Sequence, residues 1–287
     1  MLADTAVHRP DDLAEALELL AAPPQGKDLT VLAGGTDLMV LQNSGHFVAE
    51  SVLDLWGLDS LRGIEERSDG RIAIGALTTY QDLIRSRLVQ RWVPSLVEAS
   101  RTVGAVQIQS RGTIGGNVAN GSPAGDTLPV LLAHGTDVLV QSAARGLRTV
   151  RFDVFYRGYR DKDLASDELI TGFVIDPLPE GAHSAFRKVG TRLAQSISKV
   201  MLCGIGTLDS AGRVDSLRLA AGSVAPVPVR LTGAERAGLG GLPAAVAREV
   251  VEAAKADVTP IDDVRSSSGY RREVTGRLAG RFVSSLR

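Results

Sequence analysis

Apolar residues recur at helical spacing near the start of the chain. Leu13, Ala16, Leu17 and Leu20 share one stripe, and Asp11 or Asp12 stands where an N-cap belongs. Pro23, Pro24 and Gly26 close that helix. "LTVLAGGTDLMVL" follows as a strand-like run, a Gly-Gly turn and a second apolar run. "SVLDL" at 51–55 and "RIAIGALTT" at 71–79 read as strands, and Thr78 or Thr79 opens a helix through Tyr80, Leu83 and Ile84. Another helix covers Pro94 to Ala99. After a glycine-rich stretch and the apolar run Leu128 to Ala133, "DVLVQS", "LRTVRF" and "ELITGFVID" have strand character. "DPLPEGAH" at 176–183 is the best boundary. Beyond it lie longer strand-like runs, "SAFRKVG", "KVMLCGIGTLD" and "VDSLRLAAGSVA". Two helices end the chain, one striped by Val246, Val250, Val251 and Ala254, the other by Tyr270, Val274 and Leu278. The order is mixed α and β without the regular alternation of a doubly wound sheet. No GxGxxG follows the first strand, which disfavours a Rossmann site.

Composition narrows the chemistry. The 287 residues are 44% hydrophobic and 23% charged, with a net charge of −1 and no basic block, which argues against a nucleic-acid footprint. No apolar stretch reaches a membrane span, and the N-terminus MLADTAVHRPDD has no apolar signal core, so a cytoplasmic address is expected. The single cysteine, Cys203 in VMLCGIG, reads as a small buried hydrophobe and cannot hold an iron–sulfur cluster. The four histidines, 8, 46, 134 and 183, have no ligand-like spacing, so no metal site is expected. Neither a GxSxG elbow nor a GxxxxGK[ST] phosphate loop is present.

Two glycine turns carry the candidate chemistry. "AGGTDL" at 33–38 and "RGTIGGNVANGSPAGD" at 111–126 each put bare backbone beside an apolar segment. Either alone is a tight turn with positive-φ residues or an anion cradle. Together they fit two loops converging on an extended anion such as a dinucleotide diphosphate. N–H groups of Gly34, Gly35, Thr36, Gly115 and Gly116 are the expected donors, with the hydroxyls of Thr36 and Thr113. Neither loop contains a lysine, so neutral backbone donors would have to do that work. Asp126 would be repelled by phosphate; it suits a ribityl or ribose hydroxyl, or it caps the helix that follows, "DTLPVLLA".

In these loops the chain resembles the FAD-binding (medium) subunits of molybdenum hydroxylases, the xanthine, nicotine and carbon monoxide dehydrogenase flavoprotein family. "VLAGGTDL" and "QIQSRGTIGGNVANGSPAGDTLPVLLA" look like its two FAD loops; "FYRGYRDKDLASDELI", "FRKVGTRLAQSISKV" and "YRR" at 270–272 follow in family order. The resemblance covers nearly the whole chain. It implies an α+β fold: an FAD-binding PCMH-type (vanillyl-alcohol-oxidase-like) part at 1–176, made of two α/β subdomains of about 1–55 and 56–176, then a C-terminal α/β domain at 177–287. It implies noncovalent FAD lined by Val31, Leu32, Ala33, Gly34, Gly35, Thr36, Asp37 and Leu38, and by Thr113, Ile114, Gly115, Gly116 and Asn117. Asp126 matches an FAD-contacting aspartate, Lys188 a flavin-side lysine, and Ile170 an apolar residue packed near the ring. In "FRKVGTR", Phe186, Lys188, Gly190 and Arg192 alternate onto one face, where a glycine beside the lysine would leave room for a ligand.

Two departures matter. Carbon monoxide dehydrogenase flavoproteins read AGGHS at the first loop, whereas this chain reads Gly-Gly-Thr-Asp, which favours an N-heterocycle or aldehyde as substrate of the complex. Val103 stands where animal xanthine enzymes carry a flavin-stacking phenylalanine. The resemblance implies electron transfer without a catalytic acid or base in this chain. It further implies that the chain takes electrons from 2Fe-2S clusters on a small subunit, with molybdenum-pterin on a large one, in a dimer of heterotrimers. Lys188 and Arg192 are candidates for tuning the flavin. The rival readings are a stand-alone FAD oxidoreductase of the same fold and a scaffold that has lost FAD.

Overall fold

A computed structural model describes residues 5–45, 49–192 and 195–287. His46, the first four residues and part of "FRKVGTRLAQSISKV" lie outside the described residues. The first sheet is parallel. β1 (Ala6–His8) and β2 (Thr30–Leu32) flank β3 (Ser51–Asp54), in the order β1-β3-β2. Parallel strands need crossover connections, and α1 (Leu13–Ala21) links β1 to β2 past the place that β3 takes between them. Asp12 caps α1 by accepting from the Glu15 N–H, and Ala16, Leu17 and Leu20 bury its stripe. α2 (Leu38–Asn43) then connects β2 towards β3.

The second sheet is antiparallel and begins with β4 (Ile64–Glu66) and β5 (Ile72–Gly75). Five short helices follow: α3 (Tyr80–Arg85), α4 (Arg87–Trp92), α5 (Pro94–Arg101), α6 (Val106–Gln109) and α7 (Ile114–Asn120). Thr79 closes a capping box with Asp82 at the head of α3. α8 (Leu128–Ala133) leads into β6 (Asp137–Ser142) and β7 (Gly146–Arg151). α9 (Phe152–Phe155) and a hairpin of β8 (Tyr156–Gly158) and β9 (Asp161–Lys162) precede β10 (Leu169–Ile175), which returns to the centre of the order β4-β5-β10-β6-β7.

The last sheet, β11 (His183–Val189), β12 (Val200–Leu208), β13 (Val214–Gly222) and β14 (Val229–Arg230), is antiparallel in chain order. β12 is buried on both faces, which explains its continuous apolar run. Met201, Cys203 and Ile205 join the core of the second sheet. Val200 and Leu202 join a separate core beneath α10 (Thr232–Gly238), α11 (Pro243–Ala256) and α12 (Ser268–Ser284). Cys203 is fully buried, and burial pushes its thiol up to about 12, as suits an inert packing residue.

α12 corrects one expectation. Its most buried positions are Arg271, Thr275, Ala279 and Val283; Val274 and Leu278 pack half-buried against the same core, and of the expected stripe only Tyr270 is exposed. Gly276 and Gly280 let the helix press against α11: a Cβ at Gly276 would lie 2.8 Å from the Val251 carbonyl oxygen, and one at Gly280 2.4 Å from Val251 Cγ2. A hydrophobic count cannot find a face built from an arginine, a threonine and small residues.

Candidate functional site

Ala33 to Asp37 form the first loop at the C-terminal ends of the parallel strands, the edge where open α/β sheets bind ligands. The second stretch is not a plain loop. Thr113 caps α7, its Oγ1 accepting from the Gly116 N–H at 3.1 Å, and Gly121 ends the helix in the left-handed region at φ 63°. The paired glycines therefore serve close approach rather than positive φ. A Cβ on Gly115 would stand 2.6 Å from the Ala76 carbonyl oxygen, and one on Gly34 only 1.8 Å from that of Arg111. Of the first loop's glycines, Gly35 has the left-handed φ of 74°. The two loops thus meet backbone to backbone at Gly34 and Arg111, and a Cβ added at Gly116 would lie 3.9 Å from Ala33 Cβ.

The donor inventory differs from the expectation. The Gly115 N–H donates to the Ala76 carbonyl at 2.9 Å and the Gly116 N–H to Thr113 Oγ1, so both are satisfied within the chain. Among the described residues no acceptor receives the N–H groups of Gly34, Gly35 or Thr36. Those three donors are half-buried and presented together. Val31 and Leu32 belong to β2 and Leu38 to α2; Asp37 is exposed at the head of α2 and makes no side-chain cap. Ile114 is fully buried, and Asn117 Oδ1 accepts from Thr127 Oγ1 at 2.6 Å, tying α7 to the turn that carries Asp126.

Asp126 is not a helix cap. Thr127 is the residue before α8, and the Asp126 carboxylate turns away to the C-terminal part of the chain. Its Oδ2 accepts from Lys188 Nζ at 2.5 Å and from Thr102 Oγ1 at 3.3 Å; Lys188 Nζ also donates to the Thr102 carbonyl at 3.1 Å. Both side chains of the pair are more than nine-tenths buried. Asp126 Oδ1 is buried and has no partner. Burial outweighs the Lys188 charge and pushes the Asp126 carboxyl up to about 6. Tyr80 packs beneath Gly112; its phenol is raised by burial and then by the charges of Asp126 and Asp37.

Lys188 sits near the end of β11, where Glu98 on α5 accepts the Phe186 N–H at 2.6 Å. A cavity of about 620 Å³ opens beside it, lined in part by Thr102, Phe186 and Gly190. The expected single strand face breaks down after Lys188, because β11 ends at Val189. The space beside Gly190 is filled: an added Cβ would meet Ser196 Oγ at 2.3 Å. Arg192 turns to the Gln195 carbonyl. Ile170 lies in the core on β10, the strand against which α7 packs, and Val103 is half-buried at the edge of that core. Among the described residues no cluster of metal-ligating side chains occurs, and no helix is long and apolar enough to cross a membrane. Thr102 is the site residue sequence reasoning missed; a lone threonine between two helices carries no local signal.

Known proteins share this fold. Residues 3–178 match the FAD binding domain in molybdopterin dehydrogenase, and residues 184–286 match the CO dehydrogenase flavoprotein C-terminal domain. This chain belongs to the FAD-binding subunits of the molybdenum hydroxylases. It is 33% identical to the putative xanthine dehydrogenase FAD-binding subunit XdhB of Escherichia coli (strain K12), over 96% of this chain and 94% of that protein. It is 31% identical to the glyceraldehyde dehydrogenase medium chain of Sulfolobus acidocaldarius, over 93% and 92%. Its fold superposes on a solved carbon monoxide dehydrogenase chain of Hydrogenophaga pseudoflava with a TM-score of 0.90 at 29% identity, covering 96% of this chain and 95% of that one. The molybdenum hydroxylase flavoprotein is thus an oxidoreductase component with FAD as its cofactor, and its relatives are medium subunits of multi-subunit enzymes.

Proposed function

We propose that this flavoprotein carries electrons from 2Fe-2S clusters on a small partner subunit to an acceptor, in a complex whose large molybdenum-pterin subunit hydroxylates an N-heterocycle or aldehyde. The observation that carries the cofactor end of this reading is the buried, unpartnered Asp126 Oδ1, set in a site whose other edge offers three N–H groups without acceptors. An oxygen buried without a hydrogen bond costs on the order of 1–3 kcal/mol, a cost that a ligand hydroxyl would remove. The residues fit FAD: donors at 34–36 for the diphosphate, and an acceptor at Asp126 for a hydroxyl of the ribityl chain. Thr113 keeps its own O–H proton as a further donor, since Oγ1 acts only as acceptor in the cap.

Bound FAD supplies the ability to take up electrons and pass them on. This chain's residues bind and orient. Asp126 and the Thr102 carbonyl fix the Lys188 ammonium at one edge of the site, and Ile170 contributes apolar wall through β10. Among the described residues no side chain is set as a general acid or base. The substrate reading rests on Gly-Gly-Thr-Asp at the first loop and on relatives named for xanthine and glyceraldehyde. A dimer of heterotrimers, a cytoplasmic address and a division near 176–183 belong to the same proposal.

The purified chain is expected to carry flavin that acid releases, and to turn over no organic substrate alone. Adding the iron–sulfur and molybdenum subunits should give substrate-driven bleaching of the flavin. Turnover of an organic substrate by this chain alone, free of molybdenum and iron, would overturn the reading.

Asp126→Ala should weaken FAD binding by about 1.5–3 kcal/mol, the worth of a charge-assisted hydrogen bond, as measured by titrating the cofactor-free chain. The pH dependence has a definite sign. A carboxyl raised in the folded state holds a proton the unfolded chain releases, so its contribution to stability falls as pH rises from the ordinary aspartate value to about 6. His134 runs the other way. Buried between Ser95 Oγ and the Asp176 carbonyl, it is lowered by burial to about 4, and its contribution is lost as pH falls below the ordinary histidine value. The informative quantity is therefore the difference between wild type and Asp126→Asn without cofactor. That difference should slope across pH 4–6, and a flat difference would remove the raised carboxyl.

A further inference from the structure

We propose that Arg111 is the cationic partner of the FAD diphosphate, held in position by the indole of Trp56. The proposal rests on the reading of 33–37 as a diphosphate cradle and adds the charge that cradle lacks. Three neutral N–H donors leave the two negative charges of a diphosphate uncompensated, and neither glycine loop supplies a lysine.

Arg111 stands at the seam. Its carbonyl oxygen is the atom against which Gly34 packs. Its guanidinium carbon lies 3.6 Å from the centroid of the Trp56 ring. Trp56 follows β3 by two residues, and the neighbouring Leu55 N–H donates to the Leu32 carbonyl at 2.9 Å, just before the first loop departs. The indole is therefore anchored at the sheet edge from which the cradle projects, and it carries the Arg111 guanidinium there.

A second arginine makes the assignment selective. Arg62 also lies over Trp56, at 4.3 Å, but its donors are committed to the Leu77 carbonyl at 2.9 Å and the Trp56 carbonyl at 2.8 Å, with Asp59 3.4 Å away. Arg62 braces the ring. The Arg111 guanidinium, by contrast, has no oxygen acceptor among the described residues and is exposed. A guanidinium can lie flat on an aromatic face while its edge keeps a fork of N–H donors that matches phosphate oxygens. Lysine can provide the charge but not that stacked fork.

The test titrates FAD into the cofactor-free chain over a range of salt concentrations, with circular dichroism and melting as controls of folding. Arg111→Met should weaken binding roughly ten- to a hundredfold, the worth of a hydrogen bond to a charged group, and should flatten its salt dependence. Arg111→Lys should recover the salt dependence and part of the affinity. Trp56→Leu should lose affinity while keeping the salt dependence, because the charge remains and only its placement suffers. Wild-type affinity and salt slope in folded Arg111→Met would overturn the proposal. So would equal losses in the Met and Lys variants accompanied by equally lowered melting temperatures, which would assign Arg111 to loop packing. Should the Met variant not fold, a Lys variant that folds and has lost the salt slope overturns it. Gly34→Ala separates this from the underlying reading: full FAD binding there defeats the cradle itself, whereas loss there with an unchanged Arg111→Met defeats only the role of Arg111.

Discussion

Gly34→Ala is expected to yield a chain that does not retain FAD. The added methyl would sit 1.8 Å from the Arg111 carbonyl oxygen and 2.6 Å from its carbonyl carbon. Both neighbours are backbone, so no rotamer can relieve the overlap and the two loops must part. Overpacking of this kind costs about 1–3 kcal/mol in stability. The cost to binding is larger, because the cradle and its opposite wall no longer stand at one spacing. Flavin absorbance after gel filtration reads the outcome. Gly57→Ala is the matched control, since a Cβ there meets nothing within 4 Å. A Gly34→Ala chain with wild-type flavin content would show that the loop junction does not shape the site.

Arg271→Met should lower the stability of the chain by about 3–5 kcal/mol without touching the FAD site. Arg271 is 4% exposed. Its Nη1 donates to the Ser223 carbonyl at 2.7 Å and the Lys199 carbonyl at 3.1 Å, and its Nη2 to Asp263 Oδ1 at 2.7 Å. One side chain thus pins α12 to the last sheet and to the loop before the helix. Methionine would fill much of the volume while leaving two inward carbonyls without donors. Denaturant unfolding of the cofactor-free chain measures the loss. A change below about 1 kcal/mol would mean that water or Lys199 replaces the guanidinium.

Much of the fold was legible because period and punctuation agree. Asp12 heads α1, Thr79 heads α3, and "DVLVQS" and "ELITGFVID" became β6 and β10. The short helix α7 was not legible as a helix. Its glycines lower helix propensity, and contacts with Ala76 and the first loop override that preference. Read as a loop, this stretch offers the Gly115 and Gly116 N–H groups to phosphate; in the structure they donate to the Ala76 carbonyl and to Thr113 Oγ1. Asp126 and Lys188 were named from motif position. Their contact, 62 residues apart in sequence, and the bridging role of Thr102 depend on how β11 docks on α5, which no local pattern encodes. "YRR" at 270–272 carried resemblance without a role; its middle arginine proves to be a structural tie.

The Lys188–Asp126 contact joins residues that are made far apart in time. Both glycine loops and Asp126 leave the ribosome well before the lysine that closes the site. Lys188 in turn is held on β11, which is hydrogen-bonded along its length to β12 and so waits for residues up to Gly206. A nascent chain that stops short of β12 exposes the Asp126 carboxylate without its counter-charge. On the proposed FAD site, cofactor capture is a late step, coupled to completion of the last sheet. On that reading, truncated or stalled products are left without flavin.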